Sequence, residues 1–297
     1  MAAASTALRV LDTASEPGSA GTTVKYRLGL ADGLAVESVA VPMHGGTYTV
    51  CVSSQVGCAR ACAFCETGTA GLSRNLTAAE IVGQVTAASE ALGVRFRNVV
   101  FMGMGEPLDN PEGVFGALET LRDPRGLGYS QERITVCTAG HVEGIRRLRA
   151  LGLKRLNLSV SLASARDELR DRLMPINRTW PLGELAEALA AYPMRRNFVL
   201  GVNYCLLPGL NDASEDLDAA AAFVGRLGRA LVNVIPYNPG RHPICRAPSE
   251  PEIDAFLAGL AARGVPVRRR VEKGRSLQAA CGQLGGGSAR PFASQAS

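Results

Sequence analysis

The stretch Cys51-Val-Ser-Ser-Gln-Val-Gly-Cys58-Ala-Arg-Ala-Cys62-Ala-Phe-Cys65 constrains the rest of this chain. Cys58, Cys62 and Cys65 form a C-x3-C-x2-C array, with Phe64 just before its last member. Three thiolates on one short loop can hold three irons of a cubane cluster. No fourth cysteine follows nearby, so one iron keeps a position open for a further ligand. Zinc is the competing reading. A closed structural zinc takes four ligands, usually as two separated pairs, whereas His44, His141 and His242 are the only histidines and none stands at finger-like spacing.

The remaining composition sets the setting. The 297 residues suffice for one large domain or two small ones. An apolar fraction of 46% and a charged fraction of 20% are those of a soluble globular chain. No run of 18 apolar residues suggests a membrane span, and Met1–Ala20 lacks a basic start followed by an apolar core. The cytoplasm is the expected location. There the eight cysteines read as thiols, metal ligands or catalytic groups rather than a disulfide framework. A net charge of +5 permits a polyanionic partner without demanding one.

Residues 1–21, rich in Ala, Ser, Thr, Gly and Pro, read as a disordered leader. Residues 24–30 and 35–41 alternate apolar and polar types around Ala31-Asp-Gly33, the pattern of a β-hairpin. From Tyr48 the rhythm becomes strand then helix. Strands are expected near 48–54, 97–103, 132–138, 155–162, 198–207, 230–236 and 266–272, and helices near 77–92, 111–123, 141–151, 181–192, 214–227 and 250–263. Thr77-Ala-Ala-Glu80 and Ser249-Glu-Pro-Glu252 are capping boxes. About six β/α units argue for an α/β fold whose parallel sheet curls into a partial barrel. Residues 285–297, Gly- and Ser-rich at their start, read as a disordered tail.

In such sheets chemistry gathers at the carboxyl ends of the strands. The second parallel strand ends in Met102-Gly-Met-Gly105-Glu106-Pro107, whose glycines allow close backbone approach and whose Glu106 can accept from an ammonium group. Later strands end in Cys137-Thr-Ala-Gly140, Ser159-Val-Ser161-Leu-Ala163 and Pro236-Tyr-Asn238-Pro, each able to offer polar or backbone groups to a nucleoside. Free cysteines are most often small buried hydrophobes, the reading given to Cys205 and Cys245 and, in isolation, to Cys51 and Cys281. The basic run Arg268-Arg-Arg270 with Lys273 and Arg275 is either a solvated strand end or a guide for RNA phosphates.

Taken together the motifs resemble the RlmN/Cfr family of radical S-adenosylmethionine (SAM) RNA adenosine methyltransferases. The matching segments are V-E-S (36–38), C-V-S-S-Q-V-G-C (51–58), the three cluster cysteines, R-N-L (74–76), G-M-G-E-P-L (103–108), M-P-I-N (174–177), I-P-Y-N-P (235–239) and A-C-G-Q-L (280–284). The likeness runs from about residue 22 to 284 and implies a partial (β/α)6 barrel of the radical SAM type (51–284) with an N-terminal β extension (22–50). It implies a [4Fe-4S] cluster on Cys58, Cys62 and Cys65, whose open iron SAM chelates. Cys281 would carry the methyl group as S-methylcysteine, Cys51 would resolve the product through a transient disulfide, and Glu37 would accept a proton. Gly105, Glu106, Cys137, Ser161, Leu162, Ala163 and Asn238 match SAM-contacting positions. The implied partners are ribosomal or transfer RNA, a one-electron reductant and a thiol reductant, with no membrane.

Some residues depart from the family pattern. The likeness begins without the further N-terminal domain that members usually carry. Cys137 stands where serine is usual, Ala163 where histidine commonly follows the leucine, and Asn203 where glutamate is common. These leave the acceptor open, including which adenine carbon is methylated. A methylase of a non-RNA acceptor and a degenerate RNA- or SAM-binding relative are the alternatives; retention of both Cys51 and Cys281 speaks against the latter.

Overall fold

The computed structural model describes residues 8–193, 198–271, 273–274 and 276–285. β1 (Arg9–Gly18), β2 (Gly21–Gly29) and β3 (Ala35–Pro42) form an antiparallel meander that pairs with β4 (Tyr48–Cys51). β5 (Gln55–Gly57) and β6 (Leu72–Asn75) make a separate two-stranded ribbon, with the single turn α1 (Glu66–Thr69) between them. The β/α alternation follows: α2 (Ala78–Leu92), β7 (Asn98–Phe101), α3 (Pro111–Arg122), β8 (Ile134–Thr138), α4 (Val142–Ala150), β9 (Asn157–Ser161), α5 (Asp167–Leu173), α6 (Leu182–Ala190), β10 (Leu200–Leu206), α7 (Ser214–Gly225), β11 (Ala230–Pro236), α8 (Glu250–Ala262) and β12 (Val267–Arg269).

β4, β7, β8, β9, β10, β11 and β12 are neighbours in that order, and every adjacent pair is parallel. This is the expected six-unit α/β arc, closed by one further strand. Helices cover one face and the barrel interior the other. In β10, Leu200, Val202, Tyr204 and Leu206 share one buried apolar face, while Gly201, Asn203 and Cys205 alternate onto the other, where Asn203 and Cys205 line a cavity. The arc curls until its ends meet. After β12, Lys273 Nζ donates to the carbonyl of Pro42, the last residue of β3. Gly274 N and Ser276 N donate to the Glu16 carboxylate of β1 at 2.9 and 3.0 Å. Both expected capping boxes form: Thr77 Oγ1 accepts from Glu80 N while Glu80 accepts from Thr77 N, and Ser249 pairs with Glu252 likewise.

Over Arg9–Gly18 the leader expected across 1–21 is corrected by β1, which pairs with β2 over its whole length and turns the hairpin into a three-stranded meander, while 1–7 lie outside the described residues. No residue of β1 is fully buried, so there was no apolar alternation to read. Its stability comes from the backbone ladder and from Glu16. α5 was also unforeseen, because Leu169 and Leu173 stand at helical spacing but seven residues are too short a window to establish a period. Most of the expected tail, 286–297, lies outside the described residues. Among the described residues no helix is long and apolar enough to cross a membrane.

Candidate active site

The loop bearing the three cysteines leaves β5 through Gly57, where the backbone has φ +82° and a Cβ would stand 1.9 Å from the Gly71 carbonyl oxygen. Only glycine fits, and the close approach lets Cys58 N donate to that oxygen at 2.9 Å. Further on, Ala63 N donates to Leu173 O of α5 at 2.9 Å, and Cys65 N to Cys62 O at 3.1 Å. Arg60 reaches sideways to a two-pronged pair with Asp109, its guanidinium 5.7 Å from the Trp180 ring centre. Asp109 also lies 3.3 Å from His141 Nε2. The loop is therefore held from α5, the turn after β7 and the start of α4.

Cys58, Cys62 and Cys65 line one cavity at the carboxyl ends of the parallel strands. Burial pushes the Cys58 thiol up to about 12 and raises those of Cys62 and Cys65, with neighbouring thiols adding to the rise. Binding a metal group would displace those protons. Among the described residues no three His, Cys, Asp or Glu side chains are gathered as ligands of a single ion. A cubane spreads its irons over several ångströms, so three thiols set around one cavity suit it where they would not suit one zinc.

The opposite wall comes from the turn after β7. Gly105 has φ +98°, and a Cβ there would meet the Gln55 side chain at 2.6 Å. Gln55 Oε1 in turn accepts from Glu106 N at 2.8 Å. The Glu106 carboxylate is buried and accepts from Leu108 N (3.0 Å) and Ala139 N (2.6 Å). Burial outweighs those bonds and lifts its pKa to about 7.

Of the other residues expected to contact SAM, Cys137, Ser161 and Ala163 line the cavity, the last with φ +54°. Leu162 and Asn238 are buried and stand back from it. Leu162 is tied by backbone bonds to Asn203 and Arg170, and Asn238 Nδ2 donates to Pro236 O while its Oδ1 has no protein partner. Tyr237 lines the wall instead of its neighbour. The three departures from the family pattern, Cys137, Ala163 and Asn203, all face this cavity. Asn203 Nδ2 donates to Cys137 Sγ at 3.3 Å and to Ser159 Oγ at 2.9 Å. Cys205, expected in the core, is partly exposed and lines the cavity too.

Cys281 is exposed and also lines the cavity. Its segment is tied to the turn that follows the cluster loop: Glu66 N donates to Gly282 O (2.8 Å) and Thr67 Oγ1 to Leu284 O (2.7 Å). Gly285 N donates to Glu37 Oε2 at 2.8 Å, while Glu37 Oε1 lies 3.4 Å from Lys25 Nζ. Glu37 is thus buried on β3 and committed to this segment, outside the cavity lining. Cys51, at the end of β4, is partly buried; burial and the nearby Cys281 charge push its thiol up to about 12.

The basic run Arg268–Arg270 stands at the end of β12, as expected, and its three arginines have different partners. Arg268 Nε donates to Asn233 Oδ1 at 2.6 Å, and Arg269 pairs with Glu250. Arg270 turns into the cavity, donates to Met102 Sδ at 3.4 Å, and sits where Cys281, Cys51 and Cys137 raise its pKa. Alternation along the strand sends Arg270 inward, a signal available beforehand had the run not been read as one patch. Arg275 lies outside the described residues.

A curled parallel sheet with a three-cysteine loop at its carboxyl rim is the frame of a radical SAM enzyme, and residues 52–223 match the model of the radical SAM superfamily. The chain belongs, more narrowly, to the RlmN family of radical SAM RNA methyltransferases. It is 45% identical over 278 residues to the dual-specificity RNA methyltransferase RlmN of Geotalea uraniireducens, covering 93% of this chain and 79% of that one. The RlmN of Pelobacter propionicus is likewise 45% identical, over 273 residues, with 92% and 77% covered. The crystal structure of a radical SAM methyltransferase from Sphaerobacter thermophilus superposes with a TM-score of 0.85 at 38% identity, covering 94% of this chain and 81% of that one.

Proposed function

We propose that this enzyme methylates a ring carbon of adenosine in ribosomal or transfer RNA, with Cys281 as methyl carrier and Cys51 as resolving thiol. The observation that carries the reading is the position of Cys281. It faces the same cavity as Cys58, Cys62 and Cys65, with the Arg270 guanidinium beside it and Cys51 close enough to feel its charge.

Cys58, Cys62 and Cys65 would hold the [4Fe-4S] cluster, which with SAM at its open iron supplies reductive cleavage of the sulfonium. The remaining work falls to the chain. Cys281 gives up its thiol proton and attacks the SAM methyl, so that a new S–C bond forms as the sulfonium bond breaks. An adenine ring carbon is too weak a nucleophile for the same displacement, which is why a carrier beside the cluster is needed. Glu106, with a pKa lifted close to neutrality, becomes fully ionised when an ammonium group approaches. Once the transferred carbon is joined to both Cys281 Sγ and the adenine, the Cys51 thiolate bonds to Cys281 Sγ as the S–C bond breaks. The electron pair leaves with the carbon, which takes up a proton as the product methyl group, and a thiol reductant reopens the disulfide. Such a reductant is a resource of the cytoplasm.

Glu37 serves in this reading to hold the carrier segment, since a proton-acceptor role would require its carboxylate to release Gly285. The test is mass spectrometry of the Cys281 peptide after incubation with SAM bearing a deuterated methyl group. Label on Cys281 supports the proposal, and label absent from Cys281 while RNA is methylated refutes it.

A further inference from the structure

We propose that Arg170 of α5 is the built-in counter-charge of the cluster, a buried cation that holds the reduced state within reach of the electron donor. The proposal rests on the reading that Cys58, Cys62 and Cys65 hold a four-iron cluster.

Among the described residues Arg170 is the largest side chain that is wholly shielded from water, at 0% exposure. A guanidinium cannot shed its proton, so burial normally demands a carboxylate beside it. Among the described residues Arg170 has none at ion-pair distance. Nη1 donates to Leu162 O (2.7 Å), to Ser161 O (3.4 Å) and to Met174 Sδ (3.2 Å); Nη2 donates to Ala139 O (2.6 Å). Each of these partners is neutral, and Nε finds no partner among the described residues.

The nearest carboxylates, Asp167 and Asp171 on the same helix, are engaged elsewhere. Both accept from Asn177 Nδ2, at 2.8 and 2.7 Å, and Asp167 also accepts from Leu182 N at 3.0 Å. Among the ionisable groups around it, a charge on Cys62 would act on Arg170 more strongly than either aspartate. Backbone geometry agrees, because the loop between Cys62 and Cys65 docks on the end of α5 through Ala63 N and Leu173 O at 2.9 Å. Met174, which receives Nη1, lines the cavity.

Charge accounting supplies the reason. A four-iron core with three thiolates is net negative by about one when oxidised and about two when reduced, and net charge is a principal determinant of cluster potential. A cation fixed in a dry site beside one ligand favours the more negative, reduced state. Without the cluster, Arg170 is a buried charge with no counter-ion. With it, the ion pair is complete.

The test is the midpoint potential of the reconstituted protein, followed by optical titration without SAM or RNA. Arg170→Gln removes the charge while keeping an amide donor for the strand-end carbonyls; Arg170→Met removes both; Arg170→Lys keeps the charge. At a fixed applied potential both neutral variants should show at least a tenfold lower ratio of reduced to oxidised cluster, about 59 mV for a one-electron couple. The lysine variant should stay close to wild type. Neutral variants that bind a full cluster at wild-type potential would overturn the proposal. So would a lysine variant shifted as far as glutamine, because the effect would then follow geometry and not charge. If Arg170→Met fails to fold, the glutamine and lysine pair decides. Iron and sulfide content of the wild type separates the two readings: a wild-type protein that takes up no four-iron cluster overturns the reading of the cysteines, and this one with it.

Discussion

Replacing Glu37 tests whether the carrier segment is held by this carboxylate or whether the carboxylate acts on substrate. Glu37 Oε2 accepts from Gly285 N at 2.8 Å, and Oε1 lies 3.4 Å from Lys25 Nζ. Both groups are shielded, Glu37 with 8% and Lys25 with 18% of the side chain exposed. A hydrogen bond to a charged group in such a site contributes roughly 1.5–3 kcal/mol. Glu37→Ala removes all of it, so the closed position should weaken by roughly tenfold to a hundredfold, at about 1.4 kcal/mol per tenfold. Glu37→Gln keeps a neutral acceptor for Gly285 and should lose only about 1 kcal/mol, a few-fold effect. Amide hydrogen exchange at Gln283–Gly285 reads the segment directly, and methylation of Cys281 reads its consequence. Graded loss of protection, alanine beyond glutamine, with Cys281 methylation falling in proportion is the expected result. If Glu37→Gln abolished RNA methylation while protection stayed at the wild-type level, Glu37 would be a chemical participant and the holding role would be wrong.

Other consequences are equally direct. Changing Cys58, Cys62 or Cys65 to Ala should leave a reconstituted protein without a full four-iron cluster, measured as iron and sulfide, because no spare ligand stands on the loop. Gly57→Ala must leave φ +82° or push Gly71 away, costing roughly 2–4 kcal/mol in strain and a lost hydrogen bond; a lower Tm and weaker cluster retention should follow. The pH dependence of the cluster-free protein carries the mark of Glu106, whose pKa rises from 4.5 to about 7. The folded state keeps a proton that the unfolded chain has released, so stability should fall as pH rises from about 4.5 to about 7 and level off above. Glu106→Gln should remove that slope from Tm against pH, and an unchanged slope would assign it to another group.

The β/α order was legible because parallel strands are sandwiched between apolar layers and so appear as short apolar runs between capped helices. The cluster ligands were legible because their spacing lies within one loop. What escaped was held by the backbone or turned by tertiary contacts. β1 has no fully buried side chain, only partly buried ones such as Val10, and is recognisable chiefly through its pairing with β2. Arg170 stands among charged residues in the sequence, yet α5 carries it fully into the interior. Leu162 and Asn238 match motif positions but sit behind the cavity wall, since neighbouring residues in a strand or turn face opposite ways. Cys51 and Cys281 are separated by nearly the whole barrel in sequence. Contacts of the segment after β12 with β3, with β1 and with the turn after the cluster loop bring them into one neighbourhood.

The central claim is that one carbon travels from SAM to RNA on Cys281 and is released by Cys51. Incubating Cys51→Ala and Cys281→Ala proteins with SAM, a one-electron reductant and RNA, then separating the products on a denaturing gel, tests it most directly. Cys51→Ala should accumulate protein joined to RNA through a single carbon on Cys281, because addition proceeds and release does not. Cys281→Ala should give neither adduct nor methylated RNA. A Cys51→Ala enzyme that turns over like wild type, with no adduct, would contradict the two-thiol account even if the cluster is present.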